Sequence, residues 1–301
     1  MKPTVMTDTT DATDVTDAPE AAWFSGLDPA DLEAAGTAID EGTADAPADW
    51  PELAVEAGFA DDEDDYYRRL HDATMAAARA EVRKRERADD AQLVHAVRAM
   101  DDAERVVNEL TERVLEWAGT RFDDVPEGSA GVDWLATREP DGPAEERLLS
   151  LAGLAADLGT EADEHRAFIE RQAPAVAPNL AEMAGPVLAA RLISLAGGLE
   201  TLAKKPAGTI QLLGAEDALF AHLSGRAPSP KHGVIYTHEY VKGTHPNDRG
   251  SAARAFAGKL AIAARIDHYS GEYRPEIHEE MRDRIATIRA RRSDASGGDS
   301  E

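Results

Sequence analysis

The chain has 301 residues and no cysteine, which excludes disulfides and thiolate metal sites. No apolar run is long enough to cross a bilayer, and the N-terminus lacks an apolar signal core, so the sequence reads as a soluble, cytoplasmic protein. Acidic residues number 58 against 32 basic, for a net charge of −26; this balance, with little lysine, fits an extreme halophile protein kept soluble by carboxylates at molar salt, where the Debye length is about 3 Å.

Residues 1–20 form a Thr/Asp repeat with too little apolar surface to offset ordering entropy, and are expected to be disordered. Residues 21–65 hold short apolar pieces (Trp23, Phe24, Leu27, Leu32, Trp50, Leu53, Phe59) separated by Pro and Gly, as in a small, loop-rich domain. The run Asp61–Asp65 suits the positive end of the helix dipole that follows. Residues 66–118 lack Pro and Gly. Their second half keeps heptad register: Leu93, Met100, Val107 and Val114 at one core position, Ala96, Ala103, Leu110 and Trp117 at the other. Gly119 ends the helix, residues 119–143 read as a loop, and a second helix runs over about 143–172. Two such helices predict an antiparallel coiled-coil hairpin over 66–173. Its seam, through Leu93, Met100, Val107, Leu110, Val114 and Trp117, is expected to pair with a second copy, the alternative being an ordinary helical bundle.

Pro174 and Pro178 open a new unit, 174–290. Asn179 is a candidate N-cap, and 180–203 reads as packed helix. Residues 214–223 suggest a short helix after a turn, and Val234–Tyr236 a short extended piece. Helices are expected over 249–267 and 276–291, and the tail 291–301 as disordered.

Charge is uneven along this plan. Residues 1–65 carry 19 acids and one base, and 66–173 carry 24 acids and 15 bases, whereas 174–290 carry 12 acids and 14 bases. A slightly basic stretch in a strongly acidic chain points to a phosphate-bearing partner such as nucleic acid.

That stretch also holds recognisable strings. Gly214-Ala215-Glu216-Asp217-Ala218-Leu219-Phe220-Ala221-His222-Leu223 resembles the Nop-domain signature GAEKALFRHL. Pro230-Lys231-His232-Gly233-Val234-Ile235-Tyr236 and Lys259-Leu260-Ala261-Ile262-Ala263-Ala264-Arg265-Ile266-Asp267 resemble two further strings of the same family. So do Pro178-Asn179-Leu180, Leu199–Lys204 and Asn108–Trp117. The resemblance covers roughly residues 100–290. It implies a mainly α protein: a small N-terminal α/β-like domain at 21–65 that docks a methyltransferase, a long antiparallel coiled-coil hairpin that dimerises, and an all-α Nop domain. It also implies a non-catalytic scaffold of box C/D ribonucleoproteins. Such a scaffold binds guide RNA with a kink-turn, a small ribosomal-type kink-turn-binding protein, and fibrillarin, which uses S-adenosylmethionine; the scaffold needs no cofactor. The family often has Lys at the position of Asp217 and Arg at that of Ala221.

The RNA-binding candidates are Lys204, Lys205, Gln211, Gly214, Ala215, Glu216, His222, Lys231, His232, Arg249, Arg254, Lys259 and Arg265. Lys231 and His232 lie in a Pro-bounded turn. Arg254 and Arg265 are eleven residues apart and share a helix face. Amides near Gly214 are placed to meet phosphate, and His222 and His232 are suited to stacking or hydrogen bonding to RNA. Six of the nine histidines fall in 222–278, but none has the tight spacing of a metalloenzyme helix, so no metal is expected. No Gly-rich loop follows a strand, and no catalytic residue stands out. The alternatives are a Nop-domain scaffold unconnected with methylation and, from another class, a helical metalloenzyme built on the histidines.

Overall fold

The computed structural model describes residues 22–42 and 48–296, all helix and turn, with no strand among them. The disorder expected of 1–20 falls outside these residues. The chain divides into two compact units, 1–87 and 88–301.

The first unit contains α1 (Leu32–Glu41), α2 (Trp50–Glu56) and α3 (Glu63–Glu86). Each starts at an aspartate whose side chain accepts an amide of its first turn: Asp31 from Ala34, Asp49 from Glu52, Asp62 from Asp65. These are N-caps as their chemistry dictates. α3 has Glu63, Asp64 and Asp65 in its first turn and Arg83, Lys84 and Arg85 in its last, matching the helix dipole at both ends. α1 crosses α3 where a Cβ on Gly36 would lie 2.9 Å from the amide nitrogen of Ala77. Phe24 and Phe59 stack at 5.4 Å, and Trp23 meets Phe59 edge-on at 5.2 Å; with Tyr66 they form the small core. The described residues of the expected α/β-like domain are therefore helical. The boundary also differs: Tyr66 and Leu70 pack on the aromatic cluster, so the first turns of α3 belong to this unit rather than to a hairpin.

The second unit opens with α4 (Asp89–Ala118), so the continuous pattern 66–118 is two helices separated at Arg87–Ala88. α4 and α6 (Pro143–Val176) form an antiparallel hairpin. The start of α4 meets the end of α6 in one core, and Val114 and Ala118 meet Leu148, Leu149 and Ala152 in another. The expected loop 119–143 contains α5 (Ser129–Ala136), whose Val132 and Leu135 complete the second core. Pro174 does not end α6: it lies in the last turn, and the helix runs to Val176.

Three residues of the expected dimer seam are taken up within the chain. Leu93, Met100 and Val114 are fully buried within the single chain, in cores shared with α6 and the elements after it. Val107, Leu110 and Trp117 are half-buried. A heptad stripe specifies a helical partner but not which chain supplies it, and here α6 is that partner.

Beyond the hairpin, 180–203 is three short helices: α7 (Pro178–Ala184), α8 (Pro186–Ala196) and α9 (Leu199–Lys204). Gly185 (φ +79°) and the pair Gly197 (φ +87°) and Gly198 (φ +118°) break them, conformations that favour glycine. α10 (Ala207–Leu212), α11 (Glu216–Leu223), a 3-10 turn (Val234–Thr237) and α12 (Glu239–Lys242) lead to α13 (Arg249–Tyr269) and α14 (Glu276–Ser296). The expected extended piece at 234–236 is thus the 3-10 turn, and α14 continues through 291–296. α13 is the central post, burying Phe256, Leu260 and a set of alanines among α7, α9, α10, α12 and α14.

Asn179 is not an N-cap. The cap of α7 comes from 88 residues away: buried Asp267 accepts from the amides of Asn179 (3.0 Å) and Leu180 (2.8 Å) and from Asn179 Nδ2 (2.6 Å). Asn179 in turn donates to Glu272 O and accepts from Arg274 N, each at 2.7 Å, which fixes the turn between α13 and α14.

Candidate nucleic-acid interface

The turn 228–233 is held against the end of α10 by backbone. Gly233 N donates to Gln211 O (2.8 Å), Val234 N to Leu213 O (2.7 Å), and Gln211 Nε2 to Lys231 O (2.6 Å). A Cβ on Gly233 would sit 2.0 Å from Leu213 O, so only glycine permits this approach. At the neighbouring Gly214 (φ +79°), the amide donates to Glu216 Oε1 at 2.9 Å. Gly214's own amide is thus engaged within the chain, and Glu216 works as a local cap.

The turn presents Lys231, exposed and without an ion pair among the described residues. His232 beside it stacks on Tyr236 at 4.6 Å and 20°, and the Arg249 guanidinium lies 5.4 Å from the same ring. Burial, then the charges of Arg249 and Lys231, hold the His232 imidazole below its ordinary value, so it is neutral near pH 7 and offers a flat face and one donor.

α11 flanks the turn with no buried residue. Phe220 is 65% exposed and Leu223 76% exposed, with Arg226 5.6 Å from the Phe220 ring. Asp217 and Ala221 stand on this exposed helix. His222 Nδ1 lies 3.0 Å from Ala227 O, tying α11 to the segment after it.

The predicted cations separate into two groups. Arg265 donates to Ala203 O (3.1 Å) and Lys205 O (3.3 Å), closing the C-terminal end of α9. Lys259 pairs with Glu280 on α14. Arg249 donates to Thr244 O (3.1 Å) and Lys242 O (3.3 Å) just after α12, and Lys204 pairs with Glu200. Arg249 and Arg265 therefore tie backbone segments together, whereas Lys204 and Lys259 form surface ion pairs. Arg254 is exposed and without an ion pair among the described residues, and the Lys205 side chain is half-buried. Arg254 and Arg265 share a helix face by spacing, yet α9 covers only the latter. Of the remaining candidates, Gln211, Gly214, Ala215 and Glu216 shape the backbone beneath the turn.

Tyr236, Phe220 and Leu223 were missed as site residues. Phe220 and Leu223, three apart on a short helix, carry a faint signal; Tyr236 becomes visible only through its stack. A cleft of about 1170 Å³ lies on the other side of Gly233 and Tyr236. Its α4 wall carries Asp101, Asp102, Glu104, Glu109 and Glu112, and Arg191 opposite pairs with Asp101. Arg98 and Arg105 stand on the same wall, which stays acidic on balance and disfavours phosphate relative to the Lys231 side. Among the described residues, no three of His, Asp and Glu converge as a metal site, and no helix is long and apolar enough to cross a membrane.

The family model described as "snoRNA binding domain, fibrillarin" (Nop) matches residues 138–288. The chain is 32% identical over 274 residues to an uncharacterized NOP5 family protein of Methanocaldococcus jannaschii, covering 79% of this chain and 66% of that one. It is 30% identical over 239 residues to nucleolar protein 56 of Saccharomyces cerevisiae, covering 65% of this chain and 47% of that one. The chain therefore spans between about half and two thirds of these curated relatives. A crystal structure titled as a fibrillarin/Nop5p complex matches with a TM-score of 0.51 at 27% identity, over 89% of this chain and 99% of that one.

Proposed function

Starting from the chain's membership of the Nop family, we propose that it is a non-catalytic RNA-binding scaffold of a box C/D ribonucleoprotein that positions fibrillarin for guide-directed ribose 2′-O-methylation. The carrying observation is the glycine-pinned turn with exposed Lys231 and the His232–Tyr236 stack, inside the segment that the snoRNA-binding model matches. A rigid frame presenting a cation and an aromatic face suits RNA, which proteins grip by phosphate contact and by stacking on unpaired bases.

The exposed apolar side of α11 sits beside that turn, which suits RNA held jointly with a small kink-turn-binding protein. The first unit is the fibrillarin-docking candidate, and the methyl donor S-adenosylmethionine belongs to that partner. Dimerisation, if it uses the hairpin, uses its outer face, where Leu154 is 61% exposed.

The test is a gel shift of the full chain with a kink-turn guide RNA, with and without the small partner, followed by addition of fibrillarin. A complex containing RNA, partner and chain, which then retains fibrillarin and methylates the guided ribose, is expected. Failure of the chain to join the partner–RNA complex refutes the reading.

A further inference from the structure

The C-terminal half of α3 carries a surface that the turn at 228–237 does not explain. Residues 79–87 hold five bases, Arg79, Arg83, Lys84, Arg85 and Arg87, against Glu81 and Glu86, whereas residues 1–78 hold 20 acids and three bases. All five bases are exposed. Glu81 pairs with Arg85 at 2.9 Å and with Lys84 at 3.9 Å. Arg79, Arg83 and Arg87 make no ion pair among the described residues, in a chain that has almost two acids for every base.

Their spacing of four puts them in one stripe, with about 6 Å of helix rise between neighbours at 1.5 Å per residue. The helix dipole accounts for bases in the last turn, but its effect fades beyond that turn and leaves Arg79 unexplained. Guanidinium groups form paired hydrogen bonds to phosphate that an ammonium does not. α3 ends at Glu86, and only Arg87 and Ala88 precede α4, so the stripe is tethered to the RNA-binding unit and engages the same molecule at high effective concentration.

We infer that Arg79, Arg83 and Arg87 form a second RNA-backbone contact, on the first unit and distinct from the Nop segment. This rests on the RNA-scaffold reading above. It assigns these residues sequence-independent phosphate binding to parts of the guide RNA beyond the kink-turn.

The experiment compares the full chain with the triple variants Arg79→Gln/Arg83→Gln/Arg87→Gln and Arg79→Lys/Arg83→Lys/Arg87→Lys, each with the small partner. The probes are a full-length guide RNA and a fragment trimmed to its kink-turn, over a salt series. The Gln variant is expected to bind full-length RNA about tenfold more weakly, with the slope of log K against log salt flattened by about 2 for three lost phosphate contacts. The Lys variant keeps most of the slope, and the trimmed fragment binds all three alike. Equal slopes for wild type and Gln variant overturn the inference and leave the scaffold reading standing. The same holds if the Gln variant keeps its RNA slope but loses fibrillarin, which would make the stripe a protein-docking surface. If the wild type binds neither RNA, the scaffold reading falls and this inference with it.

Discussion

Removing the Asp267 carboxylate tests the long-range anchor directly. In Asp267→Ala the amides of Asn179 and Leu180 lose their acceptor in a buried site, while Asn179 Nδ2 keeps Glu272 O. Two orphaned buried donors at about 1–3 kcal/mol each give about 4 kcal/mol, a large part of an ordinary domain stability of about 5–15 kcal/mol. Asp267→Asn keeps one acceptor but turns an amide towards the Leu180 N–H, for about 2 kcal/mol. Burial, outweighing the three donors, raises the Asp267 carboxyl above its ordinary 3.8. In the window just above 3.8 the folded state therefore binds more proton than the unfolded one. This group's contribution to stability falls as pH rises through that window, and the Asn variant lacks the term. Chemical denaturation at constant salt measures the cost, and hydrogen exchange at Asn179 and Leu180 localises it. A loss below about 1 kcal/mol in Asp267→Ala, or unchanged protection of those amides, refutes the anchor.

Sorting the cations by their partners separates stability from binding: Arg265→Ala should cost about 1–2 kcal/mol in thermal unfolding through two uncapped carbonyls and leave the RNA salt slope unchanged, whereas Lys231→Gln with Arg254→Gln should flatten the slope by about 1.5 with stability intact. His232, His238 and His278 are each held below 6.5 chiefly by burial; stability is complete above 6.5 and declines as pH falls towards their folded values, and His278→Phe, replacing a ring stacked on Tyr273, should flatten that decline in a melting series from pH 8 to 5. Met100→Ala should cost about 2–5 kcal/mol at any protein concentration because its cavity is inside one chain. By contrast, Leu154→Glu should change stability by less than about 0.5 kcal/mol and lower the mass seen by light scattering if the outer hairpin face pairs copies.

The helices were legible where one period dominates. The heptads of α4 and the 3.6-residue pattern of α6 are written in the spacing of Leu93, Met100, Leu148 and Ile169, and the turn strings around Gly214 and Gly233 fall inside the segment that the Nop model matches. What spacing cannot encode is the partner. The α4 seam found α6, and Arg265 found the carbonyls of α9. Asp267 found α7 across 88 residues. The breaks at Gly185 and Gly197–Gly198 were unreadable because an Ala/Gly-rich run keeps an apolar pattern through positive-φ corners. α5 was hidden by the Gly, Pro and Asp residues around it. In the interface, charge alone put Lys231, Arg254, Lys259 and Arg265 on equal footing; only neighbouring carboxylates and helix ends divide them.

At Gly233 the main chain passes so near Leu213 O that no other residue type fits, while the next two residues back towards the N-terminus, His232 and Lys231, point away from this crossing. Substitution of those two side chains leaves the backbone crossing in place, whereas any side chain at Gly233 has to displace it.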